Sequence, residues 1–173
     1  NARESEKSRA QAQKAIEVMG PAFGSFAAVL AQSDEDKARL ESLGAKDVLV
    51  TGSVKFDIVP DASQMAAAKA WLTVLSRPVV LLASTRDGEE AAFLESFKKH
   101  PALLAETLVV VVPRHPERFE RVAELFESAG LKTIRRSTLS TAEDLPPDIQ
   151  IVVGDSMGEM SFYCGLASMT GMG

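Results

Sequence analysis

Along this chain, unbroken runs of Val and Leu alternate with segments whose apolar residues recur at helical spacing. Strands are expected at residues 78–83, 107–112 and 149–153, with a further candidate at 131–135. Helices are expected at 64–75, 88–99, 116–129 and 158–167. Strands that are apolar at every position, rather than at alternate ones, are buried on both faces. Interleaved with amphipathic helices, they predict a Rossmann-like α/β fold: a mainly parallel sheet with helices on both faces.

The first third is less regular. Residues 5–19 are rich in Ala, Gln, Lys and Glu and read as a solvent-facing helix stopped by Gly20-Pro21. A short strand is expected at 27–31. Ser33 then caps a helix over 34–43 that carries acidic residues in its first turn and closes at Gly44. Residues 48–50 form the next strand, ending in Thr51-Gly52-Ser53-Val54-Lys55-Phe56-Asp57. The segment Pro60-Asp61-Ala62-Ser63 reads as a junction between domains. Residues 137–148, polar and carrying Pro146-Pro147, read as loop.

Three of the apolar runs end in a polar turn that opens a helix: LLASTRDGEE, VVVVPRHPERF and IVVGDSMGEM. In a parallel sheet such turns gather at the carboxyl edge, where ligands bind and helix N-termini favour anions. In the second turn, Pro116 suits a first helical position and Glu117 suits the positive helix end. Arg114, His115 and Arg118 add cationic groups there; Arg offers phosphate a two-pronged fork and His115 a further donor. In the third turn, Ser156-x-x-Glu159 has the form of a capping box. Gly154 and Gly158 suggest a backbone that a ligand can approach closely. In the first turn, Asp87-x-x-Glu90 is again box-like, while the Ser84 and Thr85 hydroxyls are candidate ligand contacts. Lys55, beside Asp57, reads on its own as half of a solvated pair.

Composition narrows the classes. A net charge of −5 argues against a nucleic-acid binder, though a few placed cations can still hold a small phosphorylated ligand. Cys164 is the only cysteine, so no internal disulfide forms, and it is expected to be a small buried hydrophobe. Two histidines, without Cys/His ligand spacing, leave no structural zinc site, and no metal or cofactor is expected. Neither a G-x-S-x-G elbow nor a Walker-type loop is present. No apolar run approaches the ~20 residues of a membrane span. The chain opens on Asn1 and stops just after a helical pattern, so it is expected to be a piece of a longer protein.

Read in order, NARESEKS, VLAQSDEDKARLESLGA, TGSVKFD, ASTRDGEE, VVPRHPERF and GDSMGEM resemble the 3-deoxy-D-manno-octulosonic acid (Kdo) transferases of lipopolysaccharide-core synthesis, across nearly the whole chain. The resemblance implies a two-domain glycosyltransferase B-type architecture. Residues 1–54 would close the acceptor-side domain and 55–173 would open the nucleotide-sugar domain. It implies an inverting, metal-independent transfer of Kdo from CMP-Kdo to a lipid A precursor, at the cytoplasmic face of the bacterial inner membrane with peripheral membrane contact. Lys55 would be the catalytic cation that meets charge on the departing CMP. Pro113, Arg114, Met157, Gly158 and Glu159 would contact CMP, with His115, Ser84 and Thr85 as further donor-site residues. Arg86 stands where the family usually has His. The family's general base, a Glu in a glycine-rich loop, lies in a segment upstream of these residues, so the piece alone is expected to be inactive. The alternatives are another B-type enzyme (sialyltransferase-like or UDP-sugar-using) and a non-catalytic nucleotide-binding module.

Overall fold

A computed structural model describes residues 2–173. The chain divides into two compact units, Asn1–Val59 and Pro60–Gly173. Among the described residues, no helix is long and apolar enough to cross a membrane.

In the first unit, helices α1 (Glu6–Gln13) and α2 (Ile16–Gly24) precede β1 (Val29–Ala31), α3 (Asp34–Ser42) and β2 (Val48–Val50). The two strands pair in parallel around a small core of Val29, Ala31, Leu40, Ala45 and Val48. As expected, the Ser33 side chain caps α3 by accepting from the Asp36 amide. The helix does not stop at Gly20-Pro21, however. The break falls at Lys14-Ala15, and α2 runs through Pro21 at the cost of one intrahelical hydrogen bond. Tertiary packing overrides the local preference. The backbone of α2 crosses the turn after α3 at glycines, and a Cβ on Gly44 would lie 3.0 Å from the Gly20 carbonyl. At φ +100°, Gly44 is also a position where a side chain would be strained.

The second unit opens with α4 (Ala62–Val74), capped by the Asp61 carboxylate on the Gln64 amide. It continues through β3 (Val79–Thr85), α5 (Glu89–Lys99), α6 (Pro101–Glu106), β4 (Leu108–Pro113), a 3-10 turn (Pro116–Arg118) and α7 (Phe119–Ser128). The remaining elements are β5 (Thr133–Arg135), β6 (Ile151–Val153), α8 (Met160–Leu166) and β7 (Met169–Met172). The five strands form one sheet in the order β5-β6-β4-β3-β7, every pair parallel.

The apolar runs are explained by burial on both sides. Val79, Leu81, Ala83, Leu108, Val110, Val112 and Val152 pack under Ala68 and Trp71 of α4 and Phe162, Tyr163 and Leu166 of α8. The residues between them, including Leu82, Val109, Val111, Ile151 and Val153, pack under α5, α6 and α7. The expected α/β class is therefore present. Besides short 3-10 turns, including two at Arg136–Thr138 and Ala142–Asp144 in or beside the expected loop, a helix and a strand were not foreseen. Helix α6 is a six-residue turn started by Pro101, and β7 is an edge strand that pairs with β3 from Val80↔Met169 to Ala83↔Met172.

Candidate functional site

Because the sheet is parallel, β3, β4 and β6 all end on one edge, and the three polar turns meet there. A cleft of about 400 Å³ opens between the β4–α7 and β6–α8 turns. Pro113, Arg114 and His115 form one wall, Ser156 to Met160 the other; Ser84 and Tyr163 also line it. Six of the expected residues (Pro113, Arg114, His115, Met157, Gly158 and Glu159) thus come together with Ser84. Among the described residues, neither the Arg114 guanidinium nor the His115 ring has a protein partner, and both are exposed.

Thr85 is not among these residues. It is 1% exposed, and its hydroxyl donates to Glu90 Oε1 at 2.5 Å. Arg118, read from the sequence as a ligand cation, is likewise spent inside the fold. Its guanidinium donates to the Thr85 carbonyl at 2.8 Å and to Glu90 Oε2 at 2.7 Å. Glu90 itself is 2% exposed, so the pair supplies the partners that a buried carboxylate requires. The Arg114 amide adds a bond to the Thr85 carbonyl at 3.0 Å. The box expected at Asp87 and Glu90 does not form. Gly88, at φ +88°, occupies the cap of α5, and Glu89 accepts from the Arg86 amide. Ser84 sits at φ +56°, where the β3–β4 register shifts between Ala83 and Thr85. A non-glycine residue there costs on the order of 1 kcal/mol or more, a strain typical of site residues.

On the other wall, the Ser156–Glu159 pair forms between side chains rather than as a cap. The Ser156 hydroxyl donates to Glu159 Oε2 and lies 2.7 Å from the Tyr163 hydroxyl. Helix α8 starts one turn later, with no side chain capping it. Glu159 Oε1 accepts from Arg136 Nη2 at 3.1 Å. The Arg136 guanidinium lies over the rings of Trp71 (5.2 Å) and Phe162 (4.8 Å). Gln64 of α4 bridges the start of α8, donating to the Gly158 carbonyl at 2.8 Å and accepting from the Phe162 amide at 3.2 Å. Asp155 is held by the Ser137 amide and hydroxyl. Burial pushes the Tyr163 phenol well above its ordinary value; the Ser156 hydrogen bond pulls the other way, and the Glu159 charge adds to the rise.

The two glycines of this turn play different parts. Gly158 has φ +83° and open space around it, as a ligand-facing backbone needs. Gly154 instead serves packing: a Cβ there would meet Val112 Cγ2 at 2.7 Å and the Tyr163 ring at 2.9 Å. Arg136, Gln64 and Tyr163 were missed in the sequence because their roles depend on distant partners; no local spacing marks them.

Lys55 lies in the first unit, on an exposed 3-10 turn (Val54–Asp57). The expected pair with Asp57 does not form: among the described residues, the Lys55 ammonium has no partner. Cys164, expected to be buried, is exposed on α8. No three His, Cys, Asp or Glu side chains among the described residues cluster closely enough to hold a metal ion.

The fold and cleft define a Rossmann-like α/β protein with a ligand site at the carboxyl edge of its sheet. Residues 1–58 match the family described as 3-Deoxy-D-manno-octulosonic-acid transferase (kdotransferase). The whole chain is 40% identical to the 3-deoxy-D-manno-octulosonic acid transferase of Bordetella pertussis, covering 41% of that relative. It is 35% identical to the Haemophilus influenzae transferase over 84% of this chain and 34% of the relative. Among solved structures, the C-terminal CMP-Kdo binding domain of WaaA from Acinetobacter baumannii matches with a TM-score of 0.54 at 31% identity, covering 64% of this chain and 57% of that one. The chain belongs to the Kdo transferase family and spans about two fifths or less of these two curated relatives' length.

Proposed function

We propose that this chain carries the donor site of an enzyme that transfers Kdo from CMP-Kdo to a lipid A precursor, in lipopolysaccharide-core synthesis. The observation that carries the reading is the convergence on one cleft of Arg114 and His115, whose side chains have no partner among the described residues, with Gly158 and Glu159. The matched structure is that of a CMP-Kdo binding domain, which supports the same ligand here. In this reading Arg114 and His115 hold the CMP phosphate, while the Gly158 backbone and Glu159 meet the ribose and base. Residues 55–173 are then the opening of the nucleotide-sugar domain and residues 1–54 the close of the acceptor-side domain; the family match over residues 1–58 and the division of the fold after Val59 both fall within a few residues of that boundary.

The chemistry is a displacement at the anomeric carbon. An acceptor hydroxyl oxygen attacks that carbon, the bond to the phosphate oxygen breaks, and CMP leaves with the electron pair. The acceptor's proton passes to a general base that the resemblance places outside these 173 residues. Inversion follows from a single displacement, and no metal is required if cations meet the charge on CMP. Lys55 is assigned that task, because negative charge grows on the leaving phosphate only as the bond breaks. A lipid acceptor would bring peripheral contact with a membrane, which the family resemblance makes the bacterial inner membrane, at its cytoplasmic face.

In the full-length enzyme, Arg114→Ala is expected to weaken CMP binding roughly ten- to a hundred-fold, the loss of a charged hydrogen bond. An unchanged dissociation constant by calorimetry would remove Arg114 from the site. Lys55→Ala is expected to lower kcat more than it raises KM, and the opposite split would make Lys55 a ground-state contact. The 173-residue chain alone is expected to show no transfer.

A further inference from the structure

Beside the cleft lies a second hollow of about 410 Å³, which shares Arg114 and His115 with it and is completed by Arg86, Asp87 and Arg118. The charges around it are not equally available. Arg118 is committed to Glu90 and the Thr85 carbonyl. Asp87 is met by Arg121 at 3.3 Å and by Arg118 at 3.7 Å. The side chains of Arg86, Arg114 and His115 have no protein partner among the described residues. Three donor side chains, two of them fixed cations, therefore rim one hollow in a chain of net charge −5. Gathering like charges this way is unfavourable until an anion arrives.

Their positions are set by the fold. Arg86 leaves the end of β3; Arg114 and His115 leave the end of β4. The two turns are tied by the Arg114 amide and the Arg118 guanidinium, both donating to the Thr85 carbonyl. A ligand spanning both hollows would thus meet two neighbouring cationic groups that share Arg114 and His115 as a common wall.

The donor of the proposed reaction has matching chemistry. Kdo is a sugar acid, and in its CMP ester the carboxylate and the phosphate are attached to the same carbon. Two anions so close cannot both sit on one fork; they need adjacent ones. We infer that the hollow rimmed by Arg86, Arg114 and His115 is a carboxylate subsite, in which Arg86 grips the sugar-acid carboxylate while the cleft holds the CMP phosphate. Arg86 then selects sugar acids over neutral sugars, since a neutral sugar would leave its guanidinium unmatched. This inference rests on the donor reading given above.

The test compares two probes, CMP and CMP-Kdo, which differ by the sugar acid. In the full-length enzyme, calorimetry is run on the wild type, Arg86→Gln and Arg86→Lys, with KM and kcat measured alongside. For Arg86→Gln, CMP-Kdo binding is expected to weaken by roughly tenfold or more, with CMP binding changed by less than about twofold. KM rises and kcat changes little, because the carboxylate is present in both the ground and transition states. Arg86→Lys recovers part of the loss, keeping the charge without the fork. Equal weakening of both probes would place Arg86 at the phosphate or in the fold, and no weakening of either would leave it outside the site; each result overturns the subsite. A wild-type enzyme that binds neither probe would overturn the donor reading itself.

Discussion

Arg136 holds the cleft together from behind, and replacing it with Met is the sharpest check on how Glu159 is positioned. The substitution keeps most of the aliphatic length and removes the guanidinium. It deletes the 3.1 Å bond to Glu159, the 2.6 Å bond to the Leu139 carbonyl and the stacking over Trp71 and Phe162. The Arg136 and Glu159 side chains are 16% and 29% exposed, so the pair is partly screened. The loss then falls below the 3–5 kcal/mol of breaking a fully buried pair, and well above the median surface bridge. With about 0.5–1 kcal/mol from the ring contacts, the expected destabilisation is about 2–3 kcal/mol. Urea unfolding can be followed by the emission of Trp71, the chain's only tryptophan and part of the guanidinium's own platform. A double-mutant cycle with Glu159→Gln isolates the pair. A loss below about 0.5 kcal/mol for Arg136→Met, or no coupling in the cycle, would refute this account.

Tyr163 is the chain's only tyrosine, so ultraviolet absorbance in alkali reports it alone. Its folded value is raised, so stability is intact below the ordinary phenol value of 10.0 and declines as pH rises beyond it, because the unfolded chain ionises first. Phenolate absorbance that rises near pH 10 without unfolding would contradict the burial. Gly154→Ala is expected to cost about 1–3 kcal/mol through overpacking on Val112 and Tyr163; a neutral substitution in thermal melts would point to a role other than packing. Arg118→Met leaves the buried Glu90 carboxylate, among the described residues, with the Thr85 hydroxyl alone, an expected loss of about 3 kcal/mol or more. An undiminished unfolding free energy would show that the tie between the turns is dispensable.

The central sheet was legible because burial on two faces leaves runs such as Leu108 to Pro113 no alternation to disguise them. The edges were not. Strand β7 reads Met-Thr-Gly-Met, with three of its four residues exposed, and it is a strand chiefly because β3 offers it a partner. Pro21 misled for the opposite reason: its local preference is strong, but the Gly20–Gly44 approach holds α2 through it. At the site, the polar turns could be found because a parallel sheet collects them. Which of their charges remain free could not be read, since Arg114 and Arg118 are four residues apart and only through-space partners separate a ligand cation from a structural one.

The bonds from Arg118 to Thr85 and Glu90 span 33 and 28 residues of sequence. They lock the rim of the cleft during folding rather than at the moment of capture. Little backbone ordering of the two turns is then left to be done when a ligand docks, and the entropy lost is mainly that of the exposed Arg86, Arg114 and His115 side chains. Ligands that fit this rim are expected to arrive at similar rates and to differ chiefly in how long they stay. Discrimination is then expected to be exercised on departure.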